Sequence, residues 1–428
     1  MKINIFPGEI NERIELNYQR LLCDPYYQIG DVFAPIDYDW HGDKEGRALL
    51  AFVSHYKISG KEIPCMKQMI EQMDEHLNAL GYFGIIYKDA IHEQQLSGHS
   101  WVLRGLCEYY EQFNDERILS TIKRIAENLF LPIMESVEGY PIDRESKNKG
   151  GVSGSCADTI DGWILSTDIG CAFMSIDGLS HAYCVTGDER IKALVDEMID
   201  VFSAIDKKRL KVQTHCTLTA ARGMVRMYKK VGDPSYLEKA NAIYDLYVNG
   251  GGMTYTYHNL NWWGRPDTWS EPCAIVDSIM LATELYKITG DAQYRKIAAR
   301  VYHNALSTAQ RDNGGAGTDT LVCPDSPWNY LQMRSYEAHF CCTMRLSEGL
   351  WYINNNLDLL YAETGAEIRK NAQGIYSDGD ILYCKVGEEF RHYAENTVEK
   401  DGHILCPIPK YWRIPKDTAA RIQAQIIF

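Results

Sequence analysis

Cys184-Val185-Thr186-Gly187-Asp188 ends one helix-like run and begins the next. Glycine suits the left-handed position just past a helix C-terminus, and the aspartate after it can cap the following helix. The same punctuation recurs at His55-Tyr56-Lys57-Ile58-Ser59-Gly60-Lys61, Tyr110-Glu111-Gln112-Phe113-Asn114-Asp115, Lys230-Val231-Gly232-Asp233 and Tyr286-Lys287-Ile288-Thr289-Gly290-Asp291. An amphipathic run follows each mark, as in Pro234-Ser235-Tyr236-Leu237-Glu238-Lys239-Ala240. The intervals between marks are irregular, but each has room for one or two helical hairpins. Repeated antiparallel hairpins of this length predict a mainly α protein, an α/α toroid whose inner helices line a central cleft. Long loops at one rim would then carry the site. Three stretches rich in Gly, Asn, Asp and aromatics fit that role: Ser146 to Trp163, Tyr247 to Trp269, and Arg311 to His339.

The texture changes after Asn354. Gly374 to Val386 reads as a β-hairpin around Asp378-Gly379, and Arg421 to Phe428 alternates like a strand. The expected organisation is therefore a toroid over residues 1–353 and a β-rich region over 354–428. The latter reads as a small sheet packed on the helices or an incomplete sandwich.

Composition limits the function. The 428 residues are 45% hydrophobic and 24% charged, as in ordinary folded soluble proteins. A net charge of -14 argues against nucleic-acid partners, because phosphate contacts need a basic face. There is no run of about 18 apolar residues, so no membrane partner is expected. The N-terminus shows no apolar signal-peptide core, which predicts a cytoplasmic protein. Thirteen scattered cysteines fit free thiols in a reducing compartment better than a disulfide framework. Homo-oligomerisation is left open.

The chemistry concentrates at Cys341-Cys342 and Glu271-Pro272-Cys273. Three thiols and a carboxylate make a complete ligand set for tetrahedral zinc. Vicinal cysteines are awkward in other roles, because a disulfide between neighbours is strained. Each half precedes a helical pattern: Ala274 to Leu285 after the first, Leu346 to Trp351 after the second. A helix N-terminus favours anionic ligands and lowers a thiol pKa, and Pro272 suits a first helical turn. Spacing alone leaves the bland alternative, ordinary free cysteines, level with the metal site.

Glu-x-Cys before one helix and Cys-Cys before a later one resembles glycoside hydrolase family 127, the β-L-arabinofuranosidase family. The resemblance covers roughly residues 40 to 390 and is strongest at these four positions. It implies an (α/α)6 barrel followed by β-sandwich domains. It also implies one Zn2+ on Glu271, Cys273, Cys341 and Cys342, with Cys341 as nucleophile of a retaining hydrolysis through a thioglycosyl intermediate. The implied partner is a glycoside or oligosaccharide with a terminal furanoside. Zinc would keep the sulfur deprotonated at neutral pH. The family's glutamate upstream of Glu-x-Cys has no counterpart, since the loop from Gly250 to Ser270 holds only one carboxylate, Asp267. The proton donor is therefore Asp267, Tyr257, Glu337 or Glu93, or it is missing.

Other residues are assigned to the sugar pocket. His215, opening a helix, resembles a family histidine that lines the pocket, and His99 is similar in position to a second. Tyr257 and His258 lie on the same loop as Asp267. Trp262 and Trp263, with Trp269, are expected to form an exposed stacking platform beside the zinc. The charged patch from Trp40 to Arg47 reads as a structural salt-bridge cluster before it reads as a hydroxyl clamp. Two rival functions stay open. A lyase could use Tyr255, Tyr257, His258 and His215 to move protons. A zinc-stabilised carbohydrate-binding protein would need no proton donor.

Overall fold

A computed structural model describes residues 8–142, 156–320 and 336–356, apart from 24, 255, 266 and 267, together with strand backbone between 369 and 415. Fourteen α-helices are described in this part of the chain. They are α1 (Gly8–Leu21), α2 (Ile29–Val32), α3 (Asp43–Ser59), α4 (Pro64–His76), α5 (Glu93–Phe113), α6 (Glu116–Ile125), α7 (Ser175–Thr186), α8 (Glu189–Ala204), α9 (Thr214–Val231), α10 (Pro234–Asn249), α11 (Pro272–Thr289), α12 (Ala292–Val301), α13 (Ser307–Ala309) and α14 (Cys342–Asn354).

Six of them close a ring. Helix α3 packs on α5, α5 on α7, α7 on α9, α9 on α11, α11 on α14, and α14 returns to α3. Each inner helix has an outer partner, α4, α6, α8, α10 and α12 following in sequence and α1 closing on α14. This is the (α/α)6 toroid expected from the sequence. Glycines let the inner helices approach. A Cβ at Gly46 would sit 2.2 Å from the Trp101 carbonyl carbon, and one at Gly178 would sit 2.5 Å from the Ser100 carbonyl oxygen. An alanine at either position would push the ring open.

The turn marks lie at one end of the ring. Gly60, Asn114, Gly187, Gly232 and Gly290 all adopt the left-handed conformation at the C-terminus of an inner helix. The carboxylates of Asp115, Asp188, Asp233 and Asp291 accept from backbone N–H groups in the first turn of the next outer helix. Short turns at one end force the long connections to the other. The three stretches expected as rim loops lead back to the N-termini of α7, α11 and α14, at the opposite end of the ring.

The ring is filled by charge as well as by apolar side chains. Asp277 on α11, fully buried, accepts from Arg222 of α9 at 2.6 Å and Arg345 of α14 at 2.5 Å. Glu348 of α14 accepts from Arg104 of α5 at 2.8 Å and Arg222 at 3.0 Å. Asp177 of α7 pairs with Arg104 at 3.2 Å and with Arg226 of α9. Burial alone would raise the Asp277 carboxyl, but Arg345 and Arg222 hold it well below the usual carboxylate range.

Beyond α14, the strands run as a four-stranded antiparallel sheet from Arg369 to Ala394 and a three-stranded one from Val398 to Pro415. Ile375–Asp378 pairs antiparallel with Ile381–Val386, so the expected hairpin is present, but Asp378 is paired with Ile381 at the end of its strand rather than lying in the turn. The strand expected over Arg421 to Phe428 lies outside the described residues. No helix among the described residues is long and apolar enough to cross a membrane.

Candidate metal centre

The four residues singled out in the sequence come together. One ligand atom from each of Glu271, Cys273, Cys341 and Cys342 lies within 4.8 Å of all the others. Glu271 is the residue before α11 and Cys273 is in its first turn. Cys341 precedes α14 and Cys342 begins it. The backbone at Cys341 (φ −125°, ψ −64°) is neither helical nor extended, and this turn brings two neighbouring sulfurs to the same side. The Cys341 and Cys342 sulfurs stand 3.3 Å apart and the Cys273 and Cys342 sulfurs 3.9 Å apart. Both separations are far beyond a disulfide bond. They bracket the edge of about 3.8 Å that Zn–S bonds of about 2.3 Å give a tetrahedron. The cysteines whose side chains are described are free thiols.

The donor set fits a dication on a second count. Glu271 is buried, and its Oε2 has no hydrogen-bond partner. A buried carboxylate oxygen without a donor is costly, and burial, with Cys341 nearby, pushes its pKa well up. Cys341 is held well below the ordinary thiol range, first by hydrogen bonds from Cys273 and Cys342 and then by Arg47 and His215. Cys273 is pushed well up by burial and by those shared protons. A divalent cation in the middle would satisfy all four groups at once. Cys341 is half-buried, whereas Cys273 and Cys342 are wholly buried, so Cys341 is the sulfur a ligand in the mouth can reach.

Beneath the cluster is a layer the sequence did not reveal. His215 begins α9, with Nδ1 3.5 Å from Glu271 and Nε2 3.2 Å from Asp277. Burial lowers its pKa to about 4, so it is neutral at pH 7. Its ring stacks on Trp101 at 5.7 Å. Trp101 also carries the guanidinium of Arg47 at 4.1 Å and that of Arg345 at 4.6 Å. Arg47 is tied to Asp43 at 2.8 Å, which makes the Trp40–Arg47 patch the structural cluster it was read as. A buried Asp277 inside the apolar run Ala274 to Leu285 was the available signal for this layer.

Several assigned residues have scaffold roles instead. Glu337 accepts both its Arg20 contacts at 2.9 and 3.0 Å, with further donors Asn313 and Thr343 at 2.7 and 3.0 Å, and it ties α1 to the start of α14. Glu93 accepts from Tyr140 at 2.8 Å, Ser166 N–H at 2.8 Å and Gly170 N–H at 2.9 Å. His99 is fully buried, pairing through Nδ1 with Gln95 O at 2.8 Å and accepting Phe83 N–H at 3.0 Å on Nε2. It pins the loop before α5. Trp262 and Trp263 are wholly buried rather than exposed, Trp263 donating to Thr217 at 3.1 Å. A loop that looks polar in sequence folds them under α9, so they offer no platform to a sugar. Tyr257 accepts a hydrogen bond from Arg300, and His258 pairs through Nε2 with Thr308 at 3.3 Å. Asp267, like Tyr255, lies outside the described residues.

The buried histidines make stability depend on pH. Burial lowers His55 and His92 to about 4 and His99 to about 3. Unfolded, each would protonate near pH 6.5, so below that pH the unfolded chain binds protons the native one does not. Stability should be full above about pH 6.5 and fall toward pH 4. Chemical denaturation at pH 7.5 and 5.0 should show a lower unfolding free energy at the acid end. Equal values would mean these rings are protonated in place.

A second group, Glu108, Glu111 and His181, also comes within metal-ligand reach at the far end of the ring. There Arg104 and Lys57 already pair with Glu108, and Arg104 with the His181 ring.

No family model matches the sequence, and no curated protein matches it. Solved structures do match in fold. A cellobiose 2-epimerase from Bacillus thermoamylovorans B4167 superposes with a TM-score of 0.56 at 15% identity, over 83% of this chain and 100% of that one. An unsaturated glucuronyl hydrolase specific for heparin gives 0.57 at 12% identity, over 83% and 99%. A GH127 β-L-arabinofuranosidase from Geobacillus stearothermophilus T6 gives 0.52 at 12% identity, over 92% of this chain and 68% of that one. At these identities the likeness establishes the toroid and nothing finer.

Proposed function

We propose that this protein is a retaining glycoside hydrolase that cleaves a terminal furanoside, by default a β-L-arabinofuranoside, with Cys341 as nucleophile. The observation that carries the reading is the convergence of Glu271, Cys273, Cys341 and Cys342 at the mouth of the toroid. Two kinds of neighbour support it: sugar-active toroids in general, and GH127 arabinofuranosidases in particular. Bound zinc would hold the sulfurs as thiolates and neutralise part of their charge. Glu271, Cys273 and Cys342 would anchor it, with neutral His215 orienting Glu271. Cys341, the accessible sulfur, would attack the anomeric carbon as the aglycone oxygen takes a proton. Water, giving its proton to the carboxylate that protonated the aglycone, would then displace the sulfur as a thiolate, and the second inversion restores the configuration of the anomeric carbon. Of the donors named from the sequence, Glu337 and Glu93 are committed to the scaffold, which leaves Asp267, four residues before Glu271. Tyr257 and His258 are engaged by Arg300 and Thr308, which weighs against lyase chemistry.

The test is elemental analysis of reduced, purified protein beside hydrolysis of aryl β-L-arabinofuranosides. One zinc per chain, absent from the Cys341→Ser, Cys342→Ser double variant, together with furanoside turnover, is the expected result. Wild-type protein without zinc would overturn the mechanism. Zinc without hydrolysis of any aryl furanoside would leave a metal-stabilised binding protein.

A further inference from the structure

We infer that Arg47 is the charged partner of the metal ligand Cys273, and that its N–H···S bond both retains the metal and divides labour among the three sulfurs. The inference rests on the zinc reading above. Arg47 sits one turn into α3, across the ring from α11, and is almost wholly buried. Its Nη1 points at the Cys273 sulfur at 3.7 Å. Three contacts fix that aim. Asp43 accepts from its Nε at 2.8 Å, the Trp101 ring supports its plane at 4.1 Å, and Gly46 lets α3 and α5 close tightly enough for both.

The physical need is plain. Three thiolates and a carboxylate around a dication leave a buried group with two net negative charges. Anionic clusters out of water require compensating donors. Among the described residues, the Cys341 and Cys342 sulfurs are hydrogen-bonded to neighbouring thiols, whereas Cys273 receives a guanidinium. A sulfur that accepts a charged hydrogen bond holds its electron pairs more tightly. Cys273 is thereby made a poor nucleophile and a firm anchor. Cys341 is half-buried and feels the Arg47 charge through space, while the guanidinium's N–H bond goes to Cys273, so Cys341 keeps more of its electron density for the incoming carbon. Arg47 is a positioning residue, acting through the ligand rather than on substrate. Partners of this kind are typically worth about 10- to 100-fold in metal affinity.

The experiment compares wild type, Arg47→Met, Arg47→Lys and Asp43→Asn as full-length proteins. Zinc affinity is read by chelator competition, and the cobalt(II) forms by their sulfur-to-metal charge-transfer band. Far-ultraviolet circular dichroism of the metal-free forms checks folding. Arg47→Met should bind zinc about 10- to 100-fold more weakly and move the cobalt band to lower energy. Arg47→Lys should recover affinity through its charge while leaving the band displaced, because it lacks the tethered fork. Asp43→Asn, which keeps the guanidinium but loosens its tether, should show a smaller loss of affinity, and it serves if Arg47→Met does not fold. Wild-type affinity and an unmoved band in Arg47→Met, or wild-type affinity in Asp43→Asn where Arg47→Met is unfolded, would overturn the inference while the zinc reading stands. A wild type that takes up no zinc would remove both.

Discussion

Cys341→Ser is expected to lower kcat/KM on an activated aryl furanoside by at least about 10^3-fold while the helical circular dichroism stays unchanged. A serine hydroxyl is too weak an acid to be held as an anion where the thiol is. The backbone turn at Cys341 and the Cys341–Cys342 sulfur separation of 3.3 Å belong to the local structure, so a side chain of similar size should leave the fold intact. Cys273→Ser makes the informative contrast. Cys273 is buried and engaged by Arg47, so its loss should reduce metal content first and activity as a consequence. A slow substrate should also leave one sugar residue covalently on Cys341 of the wild type, read by peptide mass. Activity within about tenfold of wild type in Cys341→Ser would remove sulfur from the reacting centre.

The sequence disclosed what is local and hid what is not. Each Gly-Asp mark is a complete physical unit, a left-handed residue followed by a capping carboxylate, so Gly187-Asp188 and Gly290-Asp291 could be read without knowing what they pack against. The ligand set was legible because vicinal cysteines have few other uses. Glu337 was misread because its partner is Arg20, 317 residues earlier in the chain. Nothing around Tyr336 to His339 says that an N-terminal arginine has claimed the carboxylate. Trp262 and Trp263 were misread because Gly and Asn neighbours suggest exposure, while the loop actually tucks under α9 and buries both rings. His99 was assigned to the sugar pocket because its position is similar to that of a family histidine, and it lies instead inside α5, wholly buried. The Phe83 N–H that engages it is brought in by the preceding loop. The layer of Arg47, Trp101, Asp277 and Arg345 belongs to four different helices, and no single stretch of sequence contains it.

That layer sets the second large expectation. Asp277→Ala should destabilise the protein by about 3–5 kcal/mol, the usual result of removing one member of a buried charge network. Asp277 meets α9 through both Arg222 and Thr219, at 2.6 Å each, α14 through Arg345, and the layer beneath the cysteine cluster through His215 at 3.2 Å. Deleting it leaves two buried guanidiniums facing each other across a void, held by Glu348 and, for Arg222, by a longer contact of 3.8 Å to Asp177. For a domain whose total stability is about 5–15 kcal/mol, that is a large share. Asp277→Asn keeps the volume and one acceptor oxygen, so it should cost less, and the difference isolates charge from packing. Because Arg345 and Arg222 depress the Asp277 carboxyl, its contribution is present at neutral pH and lost only as pH falls below the ordinary carboxylate range. The gap between wild type and Asp277→Asn should therefore narrow in strong acid. Denaturant titrations of the three proteins at pH 7 and in acid measure both effects. A loss under about 1 kcal/mol for Asp277→Ala would mean that the ring is held by its apolar faces and close glycine contacts alone. The central charges would then serve to aim His215 and Arg345 at the mouth rather than to keep the toroid closed.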